Sequence, residues 1–257
     1  MDLEPEQPTR LRGIYLLPNL FTTAALFAGF YAIIAAMKGN FDSAAIAVFV
    51  AMIMDALDGR VARLTNTQSE FGVQYDSLSD MVSFGLAPAL VMYQWALVDL
   101  GKLGWLAAFI YAAAAALRLA RFNTQVAVVD KKYFQGLASP AAAGMVIGLV
   151  WVFVDFDVQG SRVNVLAAIM TVLAGILMVS NFRYYSFKGI DFKGKVPFFS
   201  ILLIVVFFVA ISVNPPQILF YGFLLYGISG PLLTLWGVHK RRKERLVNSK
   251  TAPDDDF

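Results

Sequence analysis

The chain contains no cysteine, and its single histidine is His239. Disulfides, thiolate nucleophiles and Cys-ligated zinc are excluded, and so are His-based acid/base pairs and His-rich metal sites. Charge is scarce too. Asp, Glu, Lys and Arg make up 15% of the 257 residues, against about a quarter in a soluble domain. Hydrophobic residues reach 58% and fall in long runs, which excludes an ordinary soluble enzyme and any disordered or fibrous class. The formal net charge of +3 separates 21 basic from 18 acidic residues; where those charges sit says more than their difference. Chemistry in such a chain must rest on carboxylates, hydroxyls, basic side chains and bound ions.

A helix crosses the bilayer core with about 20 mainly apolar residues. Runs of that size predict eight spans: Leu17–Met37, Ser43–Leu64, Val73–Val98, Leu103–Phe122, Ser139–Val154, Val163–Phe182, Val196–Val213 and Gln217–Val238. The short connections make them one transmembrane domain, 14–239, between tails at 1–13 and 240–257. The start of the chain is acidic and lacks the basic stretch of a signal peptide, so the first span is expected to stay in the mature protein. Cytoplasmic loops accumulate Lys and Arg. Eighteen basic residues fall on the side of the N-terminus, and only Lys38, Lys102 and Arg162 fall opposite. Both termini are therefore expected in the cytoplasm. Trp95 and Trp105 flank the Asp99–Lys102 loop as interfacial anchors or as lipid-facing packing. The run from Lys240 to Arg245 reads as a tail held against anionic lipid, and Asp254–Asp256 as a solvated end.

The informative stretch begins Asp55-Ala56-Leu57-Asp58-Gly59-Arg60-Val61-Ala62-Arg63 and continues through Gly72 to Asp76-Ser77-Leu78-Ser79-Asp80. Asp55 and Asp58 are spaced i,i+3, and Asp76 and Asp80 i,i+4, so each pair shares a helix face. An ionisable group within a span costs roughly 2.5–3.5 kcal/mol on insertion scales, and an intramembrane acid is a functional candidate by default. If the second span descends and the third rises, the pairs face each other near the cytoplasmic ends. Four converging carboxylates repel and protonate unless cations neutralise them. Oxygen-only ligands suit Mg²⁺, Mn²⁺ or Ca²⁺, and two such ions can clamp a phosphate or diphosphate. Gly59 and Ala62 leave room beside the acids, and Arg63 can fork onto a phosphate or, like Arg60, anchor the cytoplasmic end. On spacing alone, the acids also fit a buried ion network or the proton path of a transporter.

Asp55-x2-Asp58-Gly59-x2-Ala62-Arg63-x8-Gly72-x3-Asp76-x3-Asp80, eight fixed positions over 26 residues, resembles the signature of the CDP-alcohol phosphotransferases. The resemblance implies an all-α integral membrane protein of about eight helices, a six-helix core plus two C-terminal helices. It implies that Asp55, Asp58, Asp76 and Asp80 hold two divalent cations, Mg²⁺ or Mn²⁺ with Ca²⁺ also possible, and that Asp80 is also the general base. Gly59, Arg63 and Ser69, and by their place beside the acids Ala62, are implied on the CDP side. Asn19 and Thr22, in Pro18-Asn19-Leu20-Phe21-Thr22, resemble the nucleotide-facing part of the family's first helix; the same stretch is also a Pro-started helix entry.

Four further stretches are similar to the bacterial-type, serine-accepting branch of the family: Phe71–Ala89, Arg118–Asn123, Phe134–Ala143 and Ser180–Lys188. This likeness implies CDP-diacylglycerol and L-serine as substrates and phosphatidylserine and CMP as products. It also implies a membrane-lipid environment, a homodimer, no nucleic-acid partner, and residence in the bacterial inner membrane with the site facing the cytoplasm. Arg118 and Arg121, three apart at the end of the fourth span, can bind serine's carboxylate or the lipid diphosphate, or act as snorkelling anchors. Ser83, about a turn beyond Asp80, can help select the acceptor or bond a helix backbone. Two alternatives remain. One is the same family with glycerol 3-phosphate, inositol or choline as acceptor, for which Lys131 and Lys132 would add positive charge; the other is a cation or proton transporter.

Overall fold

The computed structural model describes residues 16–125, 133–185 and 198–250. The tail at 1–13, Lys131, Lys132, Lys188, Lys193, Lys195 and Asp254–Asp256 lie outside them, as do the side chains of Lys240–Arg245. Among the described residues the chain forms eight long helical segments, one for each expected run: α1 Leu16–Met37, α2 Phe41–Leu64, α3 Glu70–Leu100, α4 Lys102–Gln125, α5 Ser139–Asp155, α6 Asn164–Val179, α7 Phe198–Val213 and α8 Pro215–Lys250. Four of them are long and apolar enough to cross a membrane by themselves: Leu17–Met37, Glu70–Leu100, Lys102–Thr124 and Pro215–Trp236. α5 and α6 are apolar but shorter, and α2 is diluted by Asp42, Asp55, Asp58, Arg60 and Arg63. The architecture is that of a helical membrane protein.

The all-helical expectation needs one correction. Tyr133–Gln135 (β1) pairs antiparallel with Arg183–Tyr185 (β2), matching Phe134 with Tyr184. Three residues are too few for an alternating pattern to show in the sequence. Tyr184 is fully buried there and its hydroxyl donates to the Gly227 carbonyl of α8 at 2.9 Å. Burial, followed by the neighbouring Tyr226, pushes its phenol up to about 12, so it remains a donor.

Small side chains set the helix spacing. Ala25, Ala28, Ala32, Ala35 and Ala36 of α1 are buried in the core that Ala44, Ala45, Ala47, Val48 and Ala51 of α2 share. In lipid, where apolar tails offer no hydrophobic gain, close backbone approach supplies the dispersion energy that joins helices. α5 is the central rod, packed against α2, α3, α4, α6 and α8. Gly144 and Gly148, one turn apart, let Phe223 and Phe220 of α8 lie against its backbone. Trp95 is also interior, tilted against Phe153 of α5 at a centroid distance of 6.2 Å, whereas Trp105 is 51% exposed. Of the two tryptophans, only Trp105 has the exposure an interfacial anchor requires.

α3 is not a uniform helix. It is α-helical over Glu70–Asp80 and widens to a π-helical turn over Met81–Leu86, directly after Asp80. Such turns recur at functional sites. Here the fully buried Tyr111 of α4 donates its hydroxyl to the Phe84 carbonyl at 3.0 Å. On the other side, Ser79 and Ser83 donate to the Thr22 and Ala25 carbonyls of α1, at 3.1 and 3.0 Å. Gly29 makes this seam possible. A Cβ there would stand 2.6 Å from the Ser83 Cα, a backbone atom that cannot swing aside. Gly29→Ala is therefore expected to part α1 from α3 at a cost of about 1–3 kcal/mol, read as a lower thermal midpoint in detergent; an unchanged midpoint would refute this seam.

Candidate active site

The i,i+3 and i,i+4 spacings have different consequences. At about 100° per residue, Asp55 and Asp58 diverge by about 60°, and Asp76 and Asp80 by about 40°. The α3 pair stays together while the α2 pair splits. Asp55 joins Asp76 and Asp80, with a carboxylate oxygen from each lying within 4.8 Å of the others, and all three are half-buried. The Asp55 and Asp76 carboxylates both raise the cost of charge on Asp80. Three carboxylates this close repel one another unless a proton or a cation offsets their charge. With its oxygen-only donors, the cluster fits a divalent cation of the Mg²⁺, Mn²⁺ or Ca²⁺ type.

Asp58 stands apart from this cluster. It is 6% exposed, and its Oδ2 accepts the Thr22 hydroxyl of α1 at 2.8 Å. Thr22 thus reaches the site through Asp58. Asn19, one turn earlier on α1, faces the start of α3: a Cβ on Gly72 would lie 3.6 Å from its Oδ1. Ser69 caps α3, its Oγ accepting the Gly72 N–H at 3.0 Å, so its side chain has a structural task before any ligand arrives. Nothing lies within 4 Å of a Cβ built on Gly59, which leaves open space beside the acids. Arg63 is exposed and its Nε donates to the Gly59 carbonyl at 2.8 Å, laying the guanidinium along α2 beside that opening. Ala62 is half-buried on the same turn, and Arg60 is exposed.

The two arginines of α4 have separate environments. Arg121 donates through Nη1 and Nη2 to the carbonyls of Met178, Val179, Ser180 and Gln135 and to Asn181 Oδ1, at 3.2–3.4 Å. It ties off the C-terminus of α6 and joins it to β1. Gly136, at φ +76°, completes this clamp, since a Cβ there would meet the Met178 carbonyl and the Arg121 guanidinium. Arg118 instead donates through Nη1 to Ser139 Oγ at the first residue of α5, at 2.8 Å. It lies within electrostatic reach of Asp80, Tyr111 and Tyr226. Ser83 is fully buried and bonded to α1, so it serves the α1–α3 seam. Ser79, Ser139 and Asn123, whose Nδ2 donates to Ser77 Oγ beside Asp76 at 3.0 Å, stand in the sequence only as members of longer motif stretches, and Tyr226 stands in none. Isolated hydroxyls leave no spacing signal.

Residues 15–228 match the family model described as CDP-alcohol phosphatidyltransferase. A CDP-diacylglycerol–serine O-phosphatidyltransferase of Helicobacter pylori is 38% identical over 221 residues, 85% of this chain and 92% of that protein. One of Mycobacterium leprae is 29% identical over 254 residues, 96% of this chain and 82% of the relative. An archaetidylserine synthase of Methanothermobacter thermautotrophicus is 32% identical over 182 residues, 70% of this chain and 74% of the relative.

Two outcomes follow from this geometry. Adding Mn²⁺ to chelator-stripped protein should raise its thermal midpoint, by the equivalent of about 2.7 kcal/mol at a hundredfold excess over Kd, and Asp76→Asn should erase the shift. Thr22→Val should leave Asp58 buried without its α1 donor and cost about 1–3 kcal/mol in the same measurement, with Thr22→Ser restoring most of it.

Proposed function

The chain belongs to the CDP-alcohol phosphatidyltransferase family, and on that premise we propose the reaction and its machinery. The protein transfers the phosphatidyl group of CDP-diacylglycerol to L-serine, forming phosphatidylserine and releasing CMP. The observation that carries this reading is the convergence of Asp55, Asp76 and Asp80 within 4.8 Å, beside an Asp58 fastened to α1. Asp55, Asp76 and Asp80, with Asp58 beside them, would hold two divalent cations, Mg²⁺ or Mn²⁺ with Ca²⁺ also possible. When bound, they polarise the diphosphate and stabilise the departing oxygen.

Asp80 takes the proton of the serine hydroxyl at a carboxylate oxygen as that hydroxyl attacks the phosphorus bearing diacylglycerol. One P–O bond forms to serine, one breaks to CMP, and the leaving oxygen departs with the bonding pair. Asn19, Thr22, Gly59, Ala62, Arg63 and Ser69 hold the CDP side: the open space at Gly59 admits the nucleotide, and the Arg63 guanidinium beside it meets phosphate charge. Ser83 acts by fixing α3 against α1. A groove of about 750 Å³ runs between α1 and α2, lined by residues including Leu20, Thr23, Phe27, Ile46, Val50 and Met54. Its apolar walls and its start one turn from Asp55 and Asp58 suit the acyl tails of a lipid substrate while CMP and serine exchange with water.

The protein is integral to the bacterial inner membrane. All eight helices cross it within domain 14–239, the tails at 1–13 and 240–257 and the site face the cytoplasm, and the working form is a homodimer. Supporting the topology are the sorting of basic residues and the central burial of α5, which lets a short helix sit at membrane depth.

Purified protein given CDP-diacylglycerol, Mn²⁺ or Mg²⁺ and one alcohol at a time should release CMP with L-serine. Release only with glycerol 3-phosphate, inositol or choline would remove the serine assignment, and cation flux in liposomes without CMP release would point to a transporter. Asp80→Asn should lower the serine-dependent rate by about 10²–10⁴-fold while the protein stays folded.

A further inference from the structure

The function of Arg118 remains open. Its Nη1 is engaged by Ser139, yet its Nε is sealed from solvent and has no acceptor among the described residues. A buried donor of a charged group left unmade is costly, and a chain that keeps one offers it to a ligand. The contrast with Arg121 is informative. One turn along the same helix, that guanidinium is spent on four carbonyls and an amide oxygen, whereas Arg118 is held by one hydroxyl and still presents a donor. Its surroundings narrow the ligand. Asp80 lies within its electrostatic reach, as do Arg121, Tyr226 and Tyr111. The nucleotide-side residues Asn19, Thr22 and Arg63 belong to α1 and α2, whereas Arg118 comes to Asp80 on a different flank, on α4 and bonded to the start of α5.

A group received on that flank arrives with the nucleophile that Asp80 deprotonates. From this we infer that Arg118, positioned by Ser139, binds the carboxylate of the acceptor amino acid, and that Arg121 does not contact substrate. Arg118 is then the residue that separates an amino-acid acceptor from a plain amino alcohol, and α8 contributes Tyr226 to the same pocket. Ser139 is a positioning residue: its fully buried hydroxyl fixes the guanidinium and touches no substrate. The inference rests on the serine-transfer reading above.

The test compares L-serine with L-serinamide, which keeps the hydroxyl and amine and lacks the carboxylate. Wild type is expected to favour L-serine. In Arg118→Gln, and in Arg118→Lys should the Gln variant not fold, the ratio of kcat/KM for L-serine to that for L-serinamide should fall about 10- to 100-fold, the weight of a charge-assisted hydrogen bond. The KM for L-serine should rise more than that for CDP-diacylglycerol. Ser139→Ala should lower the same ratio by a smaller factor, and Arg121→Lys should leave the ratio in place while lowering the thermal midpoint. A ratio unchanged in the Arg118 variants, or a KM rise confined to CDP-diacylglycerol, would overturn the assignment and leave Arg118 as a counter-ion or a diphosphate contact. Wild-type protein that releases CMP only with a different alcohol would instead sink the serine reading itself.

Discussion

Carboxylates held together between packed helices, where water can reach them only in part, are the constraint on which the rest of this structure depends. Asp55, Asp76 and Asp80 bring a carboxylate oxygen each within 4.8 Å of the others. Water would disperse such charge, and a helix pair free to move would separate it. Neither relief is available between two packed helices, so the cluster calls for a neutralising charge and for a scaffold that holds α2 and α3 together. The surrounding hydrogen bonds supply that scaffold. Thr22 draws Asp58 to α1, Ser79 and Ser83 fasten α3 to α1 carbonyls, and Asn123 ties the Asp76 turn to α4.

This division of labour explains why α1, which contributes no acid, is packed so closely on both α2 and α3. Its buried face is mostly alanine, with Gly29 against Ser83, and this lets its backbone carbonyls at Thr22 and Ala25 come within reach of the short serine hydroxyls of α3. A larger side chain on either helix would lengthen that gap and leave buried hydroxyls unbonded. The small-residue seam and the acidic site are therefore one device: the first sets the distances the second requires.

The sequence made the helices legible because a span is a long apolar run, and each of the eight runs corresponds to a helical segment. It made the acids legible because charge within such a run has no cheap explanation. It did not show which acid would turn away. Asp55 and Asp58 read as a pair, and only the third helix, approaching one side of α2, splits them. The short sheet escaped because three-residue strands carry no period. Ser69 was legible as a position in a motif but not as a helix cap, although a Ser three residues before the glycine whose N–H it accepts is the pattern of one. Ser83 stood one turn past Asp80, and its partner on another helix was invisible because no local rule names a carbonyl contributed by a distant segment.

Arg118 and Arg121 show the same limit in its sharpest form. Three residues apart on one helix, they are chemically identical and read as equivalent ligands or equivalent anchors. What separates them is the ends of other helices. α6 stops at Val179, and its orphaned carbonyls, which every helix C-terminus leaves behind, fall within reach of Arg121. α5 starts at Ser139, where a helix has donors to spare and no carbonyls to offer, so Arg118 meets a single hydroxyl. A guanidinium at a helix C-terminus is consumed by the fold; one at a helix N-terminus, beside like-signed dipole, keeps donors for an anion. The identity of the residue is set by the codon, but its availability to substrate is set by which end of a neighbouring helix it encounters.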